Sequence, residues 1–235
     1  MDRIDIVQTA LDATGRGSYL EIGICTGESF IPIKASRKWG VDPGYVLSWK
    51  RIAKYRLFSL LHIKQEKIFK ETSDAFLRNH QSLLKKHGID VVFVDGLHTY
   101  KQSLTDVLNC LDYLKPNGIV LIHDCNPADA VAAIPAAGID EVGAMNLPGW
   151  TGAWSGDVWK TVVHLRSLRE DLTTFVLDCD NGIGVVACGR SAEMLPYTER
   201  DIKTMDYEFL AKNRQTLLGL RRPEYLDEFL RTRAG

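Results

Sequence analysis

Residues 18–29 read SYLEIGICTGES, and this stretch decides the predicted fold class. Tyr19 to Ile24 is an apolar run interrupted by Glu21 and Gly23, which fits a short strand. Gly23 and Gly27 then bracket a tight turn, after which a helix can begin. A strand, a glycine turn and a helix together bring backbone N–H groups close to the polar part of a nucleotide. The same glycines also fit a tight connection without a ligand, so both interpretations stay open at this point.

A carboxylate follows about 20 residues beyond Glu21. Asp42 ends a second short stretch, Lys38 to Val41, where nucleoside-binding folds place the acid that binds ribose hydroxyls. The glycine spacing differs from the dinucleotide pattern, because Cys25 stands where its middle glycine would be. A ligand without a pyrophosphate needs less close backbone approach, and S-adenosylmethionine is such a ligand.

Apolar runs that fit strands alternate along the chain with segments of helical periodicity. The predicted helices are 2–13, 30–36, 75–87, 100–114 and 157–168, and the predicted strands are 19–24, 38–41, 67–71, 89–95, 119–122, 172–177 and 183–188. This alternation predicts an α/β fold with a doubly wound parallel sheet, which binds ligands at the carboxyl ends of its strands. Asn181-Gly182 marks a hairpin turn between the last two strands.

Three further segments carry a resemblance to a known family, namely GVDP at 40–43, VVFVDGLHTY at 91–100 and GIVLIHD at 118–124. Together with residues 18–29 they resemble the class I S-adenosylmethionine-dependent methyltransferases, and most of all the macrocin-type sugar O-methyltransferase group. The resemblance implies a Rossmann-like methyltransferase fold, with a mostly parallel seven-stranded sheet closed by a C-terminal antiparallel hairpin. It also implies S-adenosylmethionine as cofactor and methyl transfer to a hydroxyl of a small or sugar-containing acceptor.

The strand-end pattern and the resemblance together indicate which residues contact the cofactor. The candidates are Glu21, Gly23, Gly27, Ser29, Asp42, Ser73, Asp74 and Asp95. Ser73 and Asp74 are included because the corresponding segment of the resembled family approaches the adenine ring.

Polar side chains follow two of the predicted strands. Asp95, His98 and Tyr100 come after the fourth strand, and His123, Asp124 and Asn126 come after the fifth. Each of them alone is equally well explained as a helix cap or a satisfied loop residue. If the two strands are neighbours, however, their carboxyl ends meet at one edge of the sheet, and we expect these groups to form an active site.

Two catalytic roles are open at these strand ends. An O-methyltransferase removes a proton from the acceptor hydroxyl, and Asp95, His98 or His123 is the candidate base. Alternatively, Mg²⁺ or Mn²⁺ held by Asp95 and Asp124 binds the acceptor hydroxyl and lowers its pKa. Relatives in the resembled group use carboxylates here for magnesium, whereas this chain has His123 in place of a further carboxylate.

The chain is predicted to form one methyltransferase domain. Its predicted parts are a domain over 1–235, an N-terminal helix within 1–17, a loop or lid over 125–156 and C-terminal helices over 198–235. Trp150 and Trp154 give the lid segment large apolar surfaces. The C-terminal helices either cap the core or pack on a second copy in a homo-oligomer.

Composition excludes several classes of function. The formal net charge of −1 provides no basic field for nucleic acid, and no apolar run approaches the ~20 residues of a membrane span. The five cysteines are scattered and fit reduced thiols, and the N-terminus lacks the pattern of a signal peptide. We therefore expect a cytoplasmic protein with a small-molecule partner. The basic and aromatic segment 45–65 fits a solvated helix better than an anion-binding face.

Two alternatives remain open. A nicotinamide-dependent Rossmann oxidoreductase shares the strand–turn–helix start, but the missing middle glycine and the hairpin at the end of the sheet count against it. A non-catalytic nucleoside-binding protein that has kept only the fold is the second alternative, and product formation separates it from an enzyme.

Overall fold

A computed structural model describes residues 1–47, 49, 50, 53, 65–191 and 193–233. Its helices are α1 (Arg3–Ala13), α2 (Ser73–Asn79), α3 (Gln81–His87), α4 (Tyr100–Leu111), α5 (Ile139–Ala144), α6 (Trp159–Leu168), α7 (Glu199–Thr204), α8 (Tyr207–Leu218) and α9 (Tyr225–Arg233). Its strands are β1 (Ser18–Ile22), β2 (Arg37–Val41), β3 (Gln65–Phe69), β4 (Ile89–Val94), β5 (Leu114–Ile122), β6 (Leu172–Leu177), β7 (Ile183–Cys188) and β8 (Leu220–Arg221). Most of the helix predicted within 45–65 lies outside the described residues.

The strands form an eight-stranded, mostly parallel sheet, and this confirms the predicted α/β fold class. The predicted closing hairpin is present, because β6 and β7 pair antiparallel from Leu172 opposite Cys188 to Leu177 opposite Ile183. The eighth strand, β8, pairs in parallel with β6 and has only two residues. So short a strand leaves no periodic signal, which is why the sequence predicts seven strands.

The chain divides into two compact units. The first comprises residues 1–96, 106–121 and 226–235, and the second comprises residues 97–105 and 122–225. The strand order is β3-β2-β1-β4-β5 in the first unit and β7-β6-β8 in the second. The single domain expected from the sequence stays a prediction.

The core of the first unit forms around β1 and β4. Both strands are buried along their whole length, and they run parallel with Tyr19 opposite Val91 and Ile22 opposite Val94. A strand that is covered on both faces has to be apolar nearly throughout, as β4 is. On its other side β1 pairs in parallel with β2, so that Ile22 lies opposite Val41. These pairings bring the carboxyl ends of three strands together.

Helix α1 begins at Arg3 with a complete N-terminal cap. Asp2 Oδ1 accepts hydrogen bonds from the N–H groups of Ile4 at 2.9 Å and Asp5 at 3.0 Å, and the Asp5 carboxylate accepts from the Asp2 N–H at 3.2 Å. This reciprocal arrangement satisfies N–H groups that have no partner inside the helix. The predicted helix at 2–13 is therefore confirmed to within one residue.

The helix predicted at 30–36 is wrong, because residues 30–32 form a turn and residues 33–36 are irregular. Pro32 has no N–H group to donate. The Lys34 N–H donates to Gln8 Oε1 of α1 at 2.8 Å, so it does not bond within its own segment. The tertiary contact with α1 thus replaces the bond that would continue a helix.

The helix predicted at 75–87 is divided into α2 and α3 at His80. The imidazole of His80 lies against Phe69 and Phe76, with ring centroids 4.6 and 5.0 Å apart, and its Nε2 is 2.8 Å from Glu71 Oε1. The backbone of His80 leaves helical geometry, with φ −114° and ψ 22°. These side-chain contacts hold the break in place.

Strand β5 begins earlier than predicted, at Leu114 rather than Ile119. The Ile89 N–H at the start of β4 donates to the Tyr113 carbonyl at 2.8 Å, which draws this segment towards the sheet. Pro116 and Gly118, which predict the end of a helix, therefore lie inside the strand. Helix α4 ends at Leu111 instead.

The second unit has its own buried elements. Helix α6 buries Trp159, Val162 and Leu165, and Arg166 donates to the Leu217 carbonyl near the end of α8 at 2.9 Å. The apolar side chains of α8 and, in the first unit, of α9 are also buried. Packing on a second copy through these helices stays a prediction.

Among the helices of the described residues, none has the length and apolar character that spanning a bilayer requires.

Candidate active site

The turn after β1 brings backbone close to backbone at Gly23. Gly23 has φ +89°, and a Cβ there would collide with the Asp95 carbonyl and with Gly96. Its N–H donates to the Val41 carbonyl at 2.8 Å, which ties the start of the turn to β2. Only glycine fits this position, because a side chain would have neither the space nor the preferred backbone conformation.

Asp42 fixes the other side of this turn. Its Oδ2 accepts the Cys25 N–H at 2.8 Å, and its Oδ1 accepts the Gly44 N–H at 2.7 Å. Cys25 itself is held at φ +42° with its thiol exposed. The carboxylate is half-buried, and each of its oxygens keeps a second lone pair for another donor. The structure thus brings together the glycine turn and the predicted ribose-binding acid.

Glu21 and Ser29 form a buried polar group beneath the turn. Ser29 Oγ donates to Glu21 Oε1 at 2.6 Å, and the Tyr19 hydroxyl donates to Glu21 Oε2. Glu21 is fully buried, and this burial raises the pKa of Glu21 to about 7. The pair ties β1 to the turn, and direct contact of either side chain with a cofactor stays a prediction.

Ser73 and Asp74 lie at the start of α2. The helix is capped by Thr72, whose hydroxyl accepts the Ala75 N–H at 3.3 Å. Ser73 is half-buried and Asp74 is exposed. Asp74 in the first turn also matches the preference of helix N-termini for negative charge. Their approach to an adenine ring is not tested by these contacts.

Asp95 directly follows β4, and its backbone is held by β1. The Asp95 N–H donates to the Ile22 carbonyl at 2.8 Å. Its carboxylate is 13% exposed, and Oδ2 lies 3.3 Å from Nη1 of Arg3 at the start of α1. The sequence gives no signal for this partner, which is 92 residues away in the chain.

In the second unit, Asp124 is the centre of a buried polar cluster. Its Oδ1 accepts from the Ser155 hydroxyl at 2.9 Å, and its Oδ2 lies 3.0 Å from His123 Nδ1 and 3.4 Å from His98 Nδ1. His98 and Asp124 both offer metal-ligand atoms, which lie within 4.8 Å of one another. The backbone of Asp124 has φ +60°, which is unfavourable for a side chain with a Cβ. The structure therefore brings together three of the predicted site residues, His98, His123 and Asp124.

The orientation of His98 is set by the segment that follows Ala153. Its Nδ1 donates to the Trp154 carbonyl at 2.8 Å, and its ring stacks on the Trp154 indole with centroids 5.1 Å apart. A carbonyl oxygen only accepts, so the proton is on Nδ1 and Nε2 is the basic nitrogen of the neutral ring. This arrangement leaves His98 with the correct tautomer for accepting a proton at Nε2.

The surroundings of His123 are different. Its Nδ1 faces Asp124 at 3.0 Å and its Nε2 faces Asp180 at 3.4 Å, and the side chain is 4% exposed. Both carboxylates only accept when ionised, so both ring nitrogens are placed to donate. This geometry favours His98 over His123 for the removal of a proton.

Tyr100 and Asn126 make structural contacts. The Tyr100 hydroxyl bonds to His164 Nδ1 at 2.7 Å, and burial raises the pKa of Tyr100 to about 12. Asn126 donates to Asp178 Oδ1 at 2.9 Å and accepts from Arg214 of α8. Both residues thus link elements of the second unit.

The segment predicted as a lid is anchored at its C-terminal end. Trp154 is 9% exposed and its indole N–H donates to the Ile134 carbonyl at 2.8 Å. The N–H groups of Ser155 and Gly156 both donate to the Ala132 carbonyl, at 2.9 and 3.0 Å. Trp154 is therefore packed and hydrogen-bonded beside His98, and lid movement of residues 148–153 stays a prediction.

Sequence reasoning missed four contributors to these clusters, namely Arg3, Trp154 as a carbonyl acceptor, Ser155 and Asp180. All four reach the candidate residues through tertiary contacts. Asp180 had a detectable signal, because it lies in the predicted hairpin turn beside Asn181-Gly182. The others have no local pattern that marks them.

Residues 20–125, which are less than half of the chain, match the model of a family described as a methyltransferase domain. This stretch runs from β1 to the residue after Asp124. The prediction of a methyltransferase is confirmed by this match. A comparison with curated proteins finds no match.

Several solved structures are similar to this chain. A Staphylococcus aureus protein provisionally named a caffeoyl-CoA O-methyltransferase is 18% identical, with 80% of this chain and 85% of that chain covered and a TM-score of 0.50. The Bacillus cereus O-methyltransferase in complex with S-adenosylhomocysteine is 15% identical, with coverage of 79% and 80% and a TM-score of 0.48. The S-adenosylhomocysteine-bound Podospora anserina methyltransferase PaMTH1 is 20% identical, with coverage of 78% and 76% and a TM-score of 0.41. At 18% identity the first likeness extends to the Rossmann-like methyltransferase fold alone.

Proposed function

We propose that this protein is an S-adenosylmethionine-dependent O-methyltransferase that acts on a hydroxyl of a small or sugar-containing acceptor. The observation that carries the proposal is the Asp42 carboxylate bound to the Cys25 N–H, 2.8 Å away. This bond couples the predicted ribose-binding acid to the glycine turn of a methyltransferase domain. The absence of the middle glycine favours a nucleoside ligand without a pyrophosphate.

The residues at this end of the first unit fit such a ligand. Asp42 offers lone pairs to two ribose hydroxyls, and Gly23 allows the ligand to approach the backbone because it carries no side chain. Glu21 and Ser29 hold the turn from below. Bound S-adenosylmethionine supplies an electrophilic methyl group on a sulfonium centre.

Removal of the acceptor proton falls to His98. Its Nδ1 is bonded to the Trp154 carbonyl, so the neutral ring carries its proton on Nδ1 and has its basic nitrogen at Nε2. Asp124 lies 3.4 Å from the same ring and stabilises the imidazolium that results. Asp124 is in turn fixed by Ser155 and His123.

Asp95 and Asp124 are the ligands that we propose for a divalent cation. Asp95 directly follows β4, and Asp124 is the second residue after β5. Carboxylate oxygens are the ligands that Mg²⁺ and Mn²⁺ prefer, and each oxygen of Asp124 that already accepts one bond keeps a second lone pair. A cation held there would lower the pKa of the acceptor hydroxyl. His98 then receives a proton that is easier to remove.

The decisive experiment compares ligands. S-adenosylhomocysteine should raise the melting temperature by mass action, and NAD⁺ should not. Incubation of S-adenosylmethionine with a panel of sugar and phenol hydroxyl acceptors should then yield methyl ethers. Equal stabilisation by NAD⁺ would favour the oxidoreductase alternative, and binding without any product across the panel would favour the non-catalytic one.

A further inference from the structure

Arg3 and Asp95 form an ion pair that the proposed function does not use. Nη1 of Arg3 lies 3.3 Å from Asp95 Oδ2, and the two side chains are 31% and 13% exposed. An ion pair with one nearly buried member is screened less by water than a surface pair. The start of α1 therefore supplies a positive charge to the carboxylate that follows β4.

Arg3 lies at a position in its helix where a positive charge is unfavourable. Arg3 is the first residue of α1, where the exposed N–H groups carry partial positive charge and a cation is disfavoured. Asp2 and Asp5 already satisfy this helix end through the capping box. The charge of Arg3 is therefore not required by this helix end, whereas the nearby Asp95 carboxylate is stabilised by it.

Of the two partners, Asp95 is the fixed one. Its N–H is bonded to the Ile22 carbonyl, and its own carbonyl lies where Gly23 could carry no Cβ. The guanidinium of Arg3, by contrast, stands on a long side chain with several rotatable bonds. When the partner of the Asp95 carboxylate is exchanged, the Arg3 side chain is therefore expected to move while the backbone of Asp95 stays in place.

We propose that Arg3 is the resident counter-ion of Asp95, and that a divalent cation displaces Arg3 when it binds this carboxylate. The inference rests on the proposed function, in which Asp95 is a cation ligand. A cation bound to Asp95 Oδ2 would lie close to the guanidinium of Arg3, and two positive groups at that distance repel each other. Pairing with Arg3 and binding of the cation are therefore competitive. In both states the half-buried carboxylate keeps a positive partner, so it is never left uncompensated.

The test measures Mn²⁺ binding by the loss of the free-ion electron paramagnetic resonance signal. Arg3→Gln and Arg3→Ala should both bind Mn²⁺ about tenfold more tightly than the unchanged protein, because the competing charge is gone. Arg3→Lys keeps the charge and should bind like the unchanged protein. Arg16→Ala is the matched control, because Arg16 pairs with Asp12 just beyond the other end of α1 and its loss changes the net charge equally. The double variant Arg3→Gln/Asp95→Asn should lose the gain in Mn²⁺ affinity that Arg3→Gln shows.

The outcomes separate this inference from the proposed function. If the unchanged protein binds Mn²⁺ and both neutral Arg3 variants bind it equally or more weakly, the competition is overturned and the cation site stands. If no variant binds Mn²⁺ although S-adenosylhomocysteine still binds, the cation part of the proposed function fails and this inference fails with it. If S-adenosylhomocysteine also does not bind, the methyltransferase proposal itself fails.

Discussion

Ser155 Oγ donates a hydrogen bond to Asp124 Oδ1 over 2.9 Å, and both side chains are almost completely buried. The two residues are 31 positions apart. Asp124 has a left-handed backbone, a sparsely populated conformation that persists only where surrounding contacts support it, and its hydrogen bonds with Ser155 and His123 are such contacts. Ser155 therefore helps to hold the Asp124 carboxylate in place, although it lies in a glycine-rich segment that the sequence marks only as a loop or lid.

Ser155→Ala is expected to lower kcat by about ten- to a hundredfold, because a buried carboxylate loses a hydrogen bond. The KM for S-adenosylmethionine should stay unchanged. Steady-state kinetics checks this, with Ser167→Ala as the matched control. Ser167 Oγ donates to the Val163 carbonyl within α6 at 2.6 Å, and its loss should leave turnover intact. Equal kcat in the two variants would contradict the role of Ser155.

Asp42→Ala should weaken the binding of S-adenosylhomocysteine by roughly ten- to 150-fold, because ribose hydroxyls lose a charged acceptor. Isothermal titration calorimetry measures this directly. Asp171→Ala removes an exposed carboxylate that pairs with Arg169, and it should bind the ligand normally. An unchanged affinity of Asp42→Ala would show that Asp42 serves only the turn.

Gly23→Ala should destabilise the fold by about 1–3 kcal/mol more than Gly152→Ala, because its Cβ collides with the Asp95 backbone. Gly152 is the matched control, since it has φ +85° against +89° for Gly23 and nothing lies within 4 Å of the place that an added methyl group would take. Urea denaturation of both variants gives the difference. The same loss of stability in both would mean that backbone conformation alone requires glycine at position 23.

Glu21 gives the stability a defined pH dependence. The pKa of Glu21 is about 7 in the folded protein and 4.5 without burial. Between these values the folded state keeps a proton that the unfolded chain releases, so the stability from Glu21 is complete below about pH 4.5 and is lost as the pH rises through about 7. Relative to Glu21→Gln, the unfolding free energy should fall by about 3 kcal/mol over this range. Urea denaturation at several pH values checks the sign.

Glu71→Gln is a control for which the pH dependence of stability should have the opposite sign. A hydrogen bond from His80 lowers the pKa of Glu71. The stability that Glu71 contributes is therefore present above its unfolded pKa and is lost as the pH falls, which is the reverse of Glu21. A difference between the unchanged protein and Glu21→Gln that does not vary with pH would contradict the assignment of a raised pKa.

Removal of divalent cations should abolish methyl transfer, and Mg²⁺ should restore it, if Asp95 and Asp124 supply oxygen ligands as proposed. Asp124→Asn should raise the concentration of Mg²⁺ that is needed while S-adenosylhomocysteine still binds. Product formation in the presence of a chelator measures the effect. Full activity after chelation would leave proton removal to His98 alone.

The sequence predicts most of the architecture because the relevant signals are local. The apolar run of β4 and the Asn181-Gly182 turn locate a buried strand and a hairpin. The errors arise where tertiary contacts replace local bonds. Lys34 bonds to Gln8 of α1, and His80 packs on Phe69, and neither contact is visible in a sequence window.

The candidate site is predictable only in part, for a related reason. Asp42, Asp95 and Asp124 stand at strand ends, a position that the sequence reveals. Arg3 and Ser155 come from a helix start and a loop, and no spacing rule connects them with the carboxylates that they contact. The candidate residues at strand ends can thus be predicted from the sequence, whereas the residues that hold them in place cannot.

The hairpin between β6 and β7 has a consequence for synthesis on the ribosome. The N–H groups of Cys125 and Asn126 donate to the carbonyls of Gly182 and Asn181, at 2.9 and 2.7 Å, so the backbone just after Asp124 is held by residues made much later. Contacts so distant in the chain form late in folding. A nascent chain that has not yet emerged beyond Gly182 already contains the glycine turn and Asp42, but it lacks the two bonds that hold the backbone just after Asp124. The Asp42 part of the candidate site is therefore expected to mature during translation before the Asp124 part.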